Sequence, residues 1–136
     1  MDFPGSGERN LGQAAILGGL VMYSTYTPCA DYCTYEGTSN LYAPYYSTGS
    51  AYKEPGIGLN ASNKDSANNS EVLRGISLGQ GLTTTPNIEI TSHGDGTPSE
   101  DPGMNAFIQQ STGGIKKQTL GKAGSITSHF MGWQEE

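Results

Sequence analysis

The chain has few charged residues, and only a minority of those are cationic. Of its 136 residues, 15% are charged, seven are Lys or Arg, and the formal net charge is −6. Affinity for nucleic acid depends on clustered Lys and Arg side chains, and Lys116–Lys117 is the only basic pair. The composition therefore argues against a polyanion-binding protein.

Long apolar runs are also missing. The longest, at 14–22, is interrupted by Gly18–Gly19 and is far shorter than the roughly 20 residues of a membrane-spanning helix. The opening Met-Asp-Phe-Pro has neither the basic start nor the apolar stretch of a secretory signal. We expect no membrane span, and either a cytoplasmic chain or a mature or excised piece of a larger protein.

Motifs of catalysis and metal binding are scarce. His93 and His129 lie far from each other and from the cysteines, a spacing that argues against a zinc site. No Gly-x-Ser-x-Gly sequence is present, and the short glycine pairs lack the lysine of a phosphate loop. Asp95 and Asp101 leave open a calcium-binding turn, with a plain turn as the alternative. We predict a protein that is not an enzyme, with no cofactor and no assigned metal site.

The two cysteines lie close together in the sequence. Three residues separate Cys29 from Cys33 in a Tyr-rich loop. In an exported protein this pattern predicts a small disulfide-closed loop, whose effect would be local order because so short a loop removes little unfolded-state entropy. Two reduced thiols are the alternative.

Twenty glycines and seven prolines favour short strands joined by turns over long helices. Alternating or β-branched patterns bounded by turn residues predict an all-β fold of short antiparallel strands, with a hairpin turn at Gly18–Gly19. The expected strands are 13–17, 20–27, 41–46, 51–53, 73–78, 86–91, 105–110, 115–120 and 126–133.

The chain shows signs of an internal repeat. Residues 42–49 and 106–113 both run from small and apolar residues into Ser-Thr-Gly. We expect a first blade-like unit with the cysteine loop at 1–59, a polar linker or surface loop at 60–72, and a second blade-like unit with a C-terminal strand at 73–136.

Tyrosine is the strongest compositional bias, since all eight tyrosines lie within positions 23–52. Tyrosine combines a large contact area with a polar tip, so exposed clusters suit protein or glycan recognition. Packing within the sheet is the alternative for at least half of them. The candidate binding surface comprises Tyr32, Tyr35, Tyr42, Tyr45 and Tyr46.

Several segments together resemble a known family. They are Gly-Glu-Arg at 7–9, Tyr-Ser-Thr-Tyr-Thr-Pro at 23–28, Glu-Gly-Thr-Ser-Asn-Leu-Tyr-Ala at 36–43, Ile-Ser-Leu-Gly-Gln-Gly-Leu at 76–82, Gln-Ser-Thr-Gly-Gly-Ile at 110–115 and Phe-x-x-Trp-Gln-Glu at 130–135. This pattern resembles the C-terminal region of PilY-type proteins, which are secreted type IV pilus biogenesis factors and tip adhesins.

The resemblance implies a modified β-propeller, a role in pilus assembly or surface attachment, and a place outside the cell or at its surface. The chain matches only the last blades, so about two blades of a propeller are expected. The calcium loop of that family, an Asp-x-Asp-x-Asn motif, is not found here.

An incomplete propeller would expose strand edges and apolar faces, and we therefore expect a partner. A pilin, another pilus-tip protein, or identical copies pairing through strand edges would each serve. The expected function is a non-enzymatic structural or adhesive part of a type IV pilus-like system. The alternatives are a self-assembling extracellular filament subunit and a glycan- or protein-binding β module, and a quinoprotein-type enzyme is disfavoured.

Overall fold

The protein is all-β. A computed structural model describes residues 7–29, 37–53, 56–64, 70–91 and 103–121. Within these ranges every regular element is a strand and every strand pairing is antiparallel, which confirms the predicted fold class. The strands are β1 (Arg9–Asn10), β2 (Ala15–Leu17), β3 (Leu20–Thr27), β4 (Thr38–Tyr42), β5 (Leu59–Lys64), β6 (Ser70–Val72), β7 (Gly75–Gln80), β8 (Asn87–Thr91), β9 (Gly103–Gln109) and β10 (Ile115–Leu120).

The larger sheet has five strands in the order β1-β3-β4-β7, with β2 also paired to β3. β4 occupies one edge of β3, and an isolated bridge from Leu20 to Tyr45 extends that pairing to the start of β3. β1 and β2 must therefore share the opposite edge of β3, where they form one strand interrupted at 11–14.

The β2–β3 hairpin forms where the sequence predicts it. Leu17 pairs with Leu20, so Gly18 and Gly19 make a two-residue loop. Their φ values of 57° and 84° are both positive, as a type I′ turn requires, and glycine adopts such values without a steric cost.

A second sheet contains three strands in the order β10-β9-β8. A turn over 110–114 joins β9 to β10: the amide of Gln110 donates to the carbonyl of Gly114 at 2.8 Å, and Gly113 has a φ of 86°. The earlier Ser-Thr-Gly also forms a turn, in which the amide of Gly49 donates to the carbonyl of Tyr45 at 2.8 Å. The echo seen in the sequence thus corresponds to two turns closed by a glycine with positive φ.

The segment expected to be a polar linker or loop contains strands. β5 and β6 pair antiparallel within it, with a register shift between Asn60 and Lys64. β7 then pairs with β4, so strands from either side of this segment share one sheet. The division into units at 1–59, 60–72 and 73–136 stays a prediction. Residues 51–53, expected to form a strand, have no regular structure and directly follow the turn at 46–50.

The two larger sheets share one apolar core. Met22 and Leu41 come from the five-stranded sheet, and both are almost completely buried. Side chains at alternate positions of β9 face them, because every second residue of a strand points to the same side. The core consists of Met22, Leu41, Ala43, Ile57, Leu78, Met104, Ala106, Ile108 and Leu120.

Polar contacts from the 81–85 segment also join the sheets. Ser24 on β3 donates to the carbonyl of Thr84 at 3.0 Å, and the amide of Gln13 donates to the hydroxyl of Thr85 at 3.1 Å. The carbonyl of Gly81 accepts from the Ser39 hydroxyl. β3, β4 and the segment between β1 and β2 are therefore each tied by a hydrogen bond to the approach to β8.

Among the residues that the structure describes, no helix has the length and apolar character needed to cross a membrane.

Candidate functional site

The tyrosines of the first half form two clusters. In the first, Tyr23 on β3 lies directly across from Tyr42 on β4, and their rings stack with centroids 5.5 Å apart and an interplanar angle of 20°. Met22 and Leu41 face the apolar core, and since neighbouring residues of a strand alternate, this pair lies on the opposite face. We call it the outer face of the five-stranded sheet.

The carboxylate of Glu8 organises the outer face. Its Oε1 accepts a hydrogen bond from the Thr25 hydroxyl, one from Nδ2 of Asn40 at 3.1 Å, and one from the Tyr42 hydroxyl at 3.0 Å. Only 9% of the Glu8 surface is exposed. A buried carboxylate must be hydrogen-bonded to be tolerated, so these donors explain how it is accommodated beside β1. We call Glu8, Thr25, Asn40 and Tyr42 the carboxylate cluster.

Burial and the nearby Glu8 lower the acidity of the two stacked tyrosines on the outer face. Burial, followed by the hydrogen bond to Glu8 and its negative charge, raises the pKa of Tyr42 to about 12. Burial also raises the pKa of Tyr23, with Arg74 opposing the shift and Glu8 reinforcing it. Both phenols are therefore neutral hydrogen-bond donors at physiological pH.

A glycine makes room for the stacked rings. Gly75 on β7 pairs with Tyr42, and a Cβ at Gly75 would lie 2.7 Å from Cδ1 and 2.8 Å from Cε1 of that ring. The aromatic ring thus covers the bare backbone of its neighbour across the strand. This packing holds Tyr42 within the sheet, where 7% of its surface is exposed.

The second cluster, Tyr45, Tyr46 and Tyr52, lies at the turn after β4, and we call it the turn tyrosines. The ring of Tyr45 is at the centre, with its centroid 5.0 Å from that of Tyr46 and 5.0 Å from that of Tyr52. Tyr45 is half-buried, whereas 66% of the Tyr46 surface is exposed. Burial and the neighbouring Tyr46 raise the pKa of Tyr45.

Backbone hydrogen bonds fix the turn tyrosines in place. The amide of Tyr46 donates to the carbonyl of Gly19 at 3.0 Å, which ties the turn to the β2–β3 hairpin. The amide of Tyr45 donates to the carbonyl of Ser50 at 2.8 Å and closes the turn on itself. Tyr45 also covers Gly19, where a Cβ would lie 3.0 Å from its Cε2. The exposed ring of Tyr46 therefore sits on an ordered backbone.

Apolar side chains continue from this turn across the outer face. Ile16 on β2 pairs with Val21 on β3, and the amide of Val21 donates to the carbonyl of Pro44 at 2.9 Å. Of these side chains Ile16 is the most exposed, at 71%. The end of the sheet that carries Tyr46 thus offers aromatic and aliphatic surface, while the other end holds the carboxylate cluster.

No family model, no curated protein and no solved structure matches this chain. The resemblance to PilY-type proteins therefore stands on the quoted sequence segments alone.

The structure describes three of the five tyrosines expected to form one binding surface, and it separates Tyr42 from Tyr45 and Tyr46. Tyr45 and Tyr46 lie together at the turn, whereas Tyr42 belongs to the buried outer-face stack. Tyr32 and Tyr35 lie outside the described residues. Of the candidate surface, only Tyr45 and Tyr46 are shown to come together.

Of the remaining predicted site residues, only Cys29 lies within the described ranges. Cys29 is exposed at the end of a described range, and Cys33 lies outside it, so the disulfide stays a prediction. Asp95 and Asp101 also lie outside the described residues. Within the described ranges, no three His, Cys, Asp or Glu side chains are grouped as metal ligands would be.

Sequence reasoning did not single out Glu8 or Tyr52. Glu8 precedes a strand of two residues, and the partners it meets are 17 to 34 positions away, so no local pattern marks it. Tyr52 belongs to the tyrosine-rich stretch but was expected in a strand. The spacing of Tyr52 did carry a signal. Tyr52 lies seven residues after Tyr45, with a Ser-Thr-Gly turn between them, and a chain that reverses direction there brings the two rings together.

Proposed function

We propose that the chain is a non-enzymatic structural and adhesive component of a type IV pilus-like extracellular system, with the turn tyrosines as its contact surface. The sequence resemblance supports the pilus context and a location at the cell surface or outside the cell. The observation that carries the adhesive role is the exposed Tyr46 ring on a hydrogen-bonded turn.

The arrangement of the turn tyrosines suits binding. A tyrosine side chain has two rotatable torsions, so it offers a large contact area at low entropic cost. The ring of Tyr45 packs beside Tyr46 and restricts it before any ligand arrives, and the ring of Tyr52 packs in turn against Tyr45. Such an ordered aromatic group fits the face of a sugar ring or an apolar protein surface. We therefore propose proteins or glycans as the adhesion targets.

We also propose that the fold represents about two blades of a β-propeller. In support, β1, β3, β4 and β7 form an antiparallel sheet with the up-and-down order of a four-stranded blade. The three-stranded sheet β8-β9-β10 has the same order and packs against it through one core. The C-terminal strand expected at 126–133 lies outside the described residues. Completion by a pilin, by a pilus-tip protein or by identical copies is part of this proposal.

An adhesion assay with matched tyrosine variants tests the contact surface. Beads carrying the purified full chain are presented to an array of immobilised glycans and to sheared type IV pili. Y46A and the control Y26F are compared with wild type, since Tyr26 is half-buried and its hydroxyl accepts from the amide of Gly37 at 3.2 Å. We expect Y46A to lose roughly tenfold or more of the binding, the size of an interface hot spot, while its melting temperature is unchanged.

Y46F separates stacking from hydrogen bonding. Retention of binding in Y46F shows that the ring face is the contact, and its loss shows that the hydroxyl is needed. Equal binding by wild type and Y46A to every probe, or no binding by wild type to any of them, contradicts the proposed contact surface.

The second candidate is a self-assembling filament subunit. It is favoured by the different charges carried by the two edges of the three-stranded sheet.

A further inference from the structure

The three-stranded sheet has two edges of different character. β8 and β10 both pair with β9 from opposite sides, and within the described ranges neither pairs with a further strand. At the far end of β10, the Gln118 side chain donates to the carbonyl of Ile57 at 3.0 Å and the amide of Gly121 donates to the carbonyl of Gly56 at 2.7 Å. Among the residues that the structure describes, the open part of this edge is therefore its first half, Ile115 to Lys117.

The charges on these edges are opposite. β8 reads Asn-Ile-Glu-Ile-Thr and has one charged residue, Glu89, which is exposed. β10 reads Ile-Lys-Lys-Gln-Thr-Leu, and Lys116 and Lys117 are both exposed. These two lysines are the only basic pair of a chain with a net charge of −6.

Charged side chains on an edge strand usually prevent uncontrolled pairing of sheets. Here they discriminate between partners. Two β10 edges would bring lysines together and two β8 edges would bring glutamates together, and like charges across a strand pair are destabilising. Only β8 against β10 pairs opposite charges.

We infer that the three-stranded sheet is a self-association surface, in which β8 of one copy adds to the first half of β10 of a second copy. The inference rests on the edges and their charges, and it does not depend on the pilus context or on the turn tyrosines. Backbone hydrogen bonds between edges supply the attraction in such strand addition, and side chains select the partner.

The strand directions permit this contact. Both β8 and β10 run antiparallel to β9, so they are parallel to each other. Moving one copy sideways without rotation, with a shift of two residues along the strands, places Asn87–Glu89 of β8 beside Ile115–Lys117 of the next copy as a parallel pair. The register through β9 puts Asn87 level with Lys117, and Glu89 lies on the same face of the sheet, so this shift brings Glu89 directly opposite Lys117. Neighbouring strands lie roughly 4.8 Å apart, so the two side chains can meet.

Apolar surface adds to the contact. Ile115 at the start of β10 is 69% exposed, and Ile90 on β8 is 45% exposed. Pairing of the two edges would bring both toward another copy and remove part of this surface from water. The β7 edge of the five-stranded sheet is partly occupied, since Gln110 donates to the β7 carbonyls of Leu78 and Gln80.

A contact between two different edges does not close on a dimer. Each copy would keep one free β8 and one free β10, so the association continues and produces an open filament. The resulting growth depends on protein concentration and, because charges select the partner, weakens as ionic strength rises.

Charge-reversal variants of the full chain test the inference. Purified wild type, E89K and K116E/K117E are followed by light scattering and electron microscopy over a concentration series at low and high salt. Each variant should require roughly tenfold more protein to assemble, because an attractive cross-strand pair becomes a repulsive one. K53E changes an exposed lysine outside both edges and should assemble as wild type does.

Mixing the two variants gives the decisive result. E89K presents lysine on both edges and K116E/K117E presents glutamate on both, so an equimolar mixture should assemble as alternating copies at near the wild-type concentration. Circular dichroism verifies that each variant is folded. Assembly of the mixture shows directly that each variant can still associate through its edges. A wild type that stays monomeric at about 100 μM in low salt, or folded variants that assemble as wild type does, would overturn the inference.

Discussion

The hydroxyl of Tyr42 donates a 3.0 Å hydrogen bond to the carboxylate of Glu8, 34 residues earlier in the chain. Tyr42 ends β4, whereas Glu8 immediately precedes β1, so the bond crosses β3, which lies between those strands. β1 has only two residues and few backbone hydrogen bonds of its own. The carboxylate cluster therefore fixes the first edge of the five-stranded sheet.

Removal of this carboxylate should destabilise the fold. E8A leaves the buried Thr25 and Tyr42 hydroxyls without their acceptor, and we expect it to lower the free energy of unfolding by about 2–4 kcal/mol. E8Q retains an acceptor oxygen and should lose less. Urea denaturation measures both, with K53A at an exposed residue outside the sheet edges as the control, expected within about 0.5 kcal/mol of wild type. A loss in E8A no larger than that in K53A would contradict the role of the carboxylate cluster.

Stability should fall at alkaline pH because of Tyr42. Its pKa is raised from 10.0 to about 12 in the folded state, so folding favours the neutral phenol. This contribution is fully present below about pH 10 and is lost as the pH rises through about 12, for a total on the order of 1–3 kcal/mol. Urea denaturation from pH 9 to pH 12 should show the difference between wild type and Y42F narrowing by this amount. Parallel profiles for wild type and Y42F would rule out the linkage.

Gly37 should not tolerate a side chain. A Cβ there would overlap the carbonyl oxygen of Thr27 and the ring of Tyr26. Because the oxygen belongs to the backbone of β3, it cannot move without disturbing the sheet, and G37A should cost about 3 kcal/mol or more. G114A is the matched control, since the nearest atom to its Cβ would be Oε1 of Gln110 at 3.4 Å, an ordinary van der Waals contact. Equal melting temperatures for the two variants would show that the close packing at Gly37 is not required.

Gln110 and Gln109 are neighbours in the chain, and we expect their substitution to change stability by different amounts. The Gln110 side chain is buried and donates to the carbonyls of Leu78 at 3.0 Å and Gln80 at 3.3 Å, whereas Gln109 is exposed. Q110A leaves those carbonyls without this donor and should lower the free energy of unfolding by about 1–3 kcal/mol. Q109A should change it by less than about 0.5 kcal/mol. The idea fails if chemical denaturation gives the same midpoint for both variants.

Local sequence signals predicted the strands well where turn residues delimit them. β10 covers the expected residues, β3 does so too, and the hairpin at Gly18–Gly19 has the turn that its two glycines indicate. Asn- and Ser-rich composition was a poor guide at 60–72, because β5 and β6 are held by backbone hydrogen bonds, which do not depend on apolar side chains.

The burial of β3 shows why the packing of the sheets and the grouping of the tyrosines could not be predicted. Alternating side chains in β3 would bury one face of the strand, yet Met22 and Thr25, which lie on opposite faces, are both almost fully buried. The core covers Met22, whereas Thr25 lies on the outer face beside Glu8. The separation of Tyr42 from Tyr46 has a similar origin, since the ring of the first fits over Gly75, a residue from the other half of the chain. Such contacts depend on strand order, which local pattern does not specify.

The most direct test of the central proposal is the location of the protein on cells. An epitope-tagged chain, expressed from its own gene, is examined by immunogold electron microscopy before and after the surface filaments are sheared off. The account predicts label on or at the tips of surface filaments, with most of the label released by shearing. Label confined to the cytoplasm, with none on filaments or at the cell surface, would contradict it.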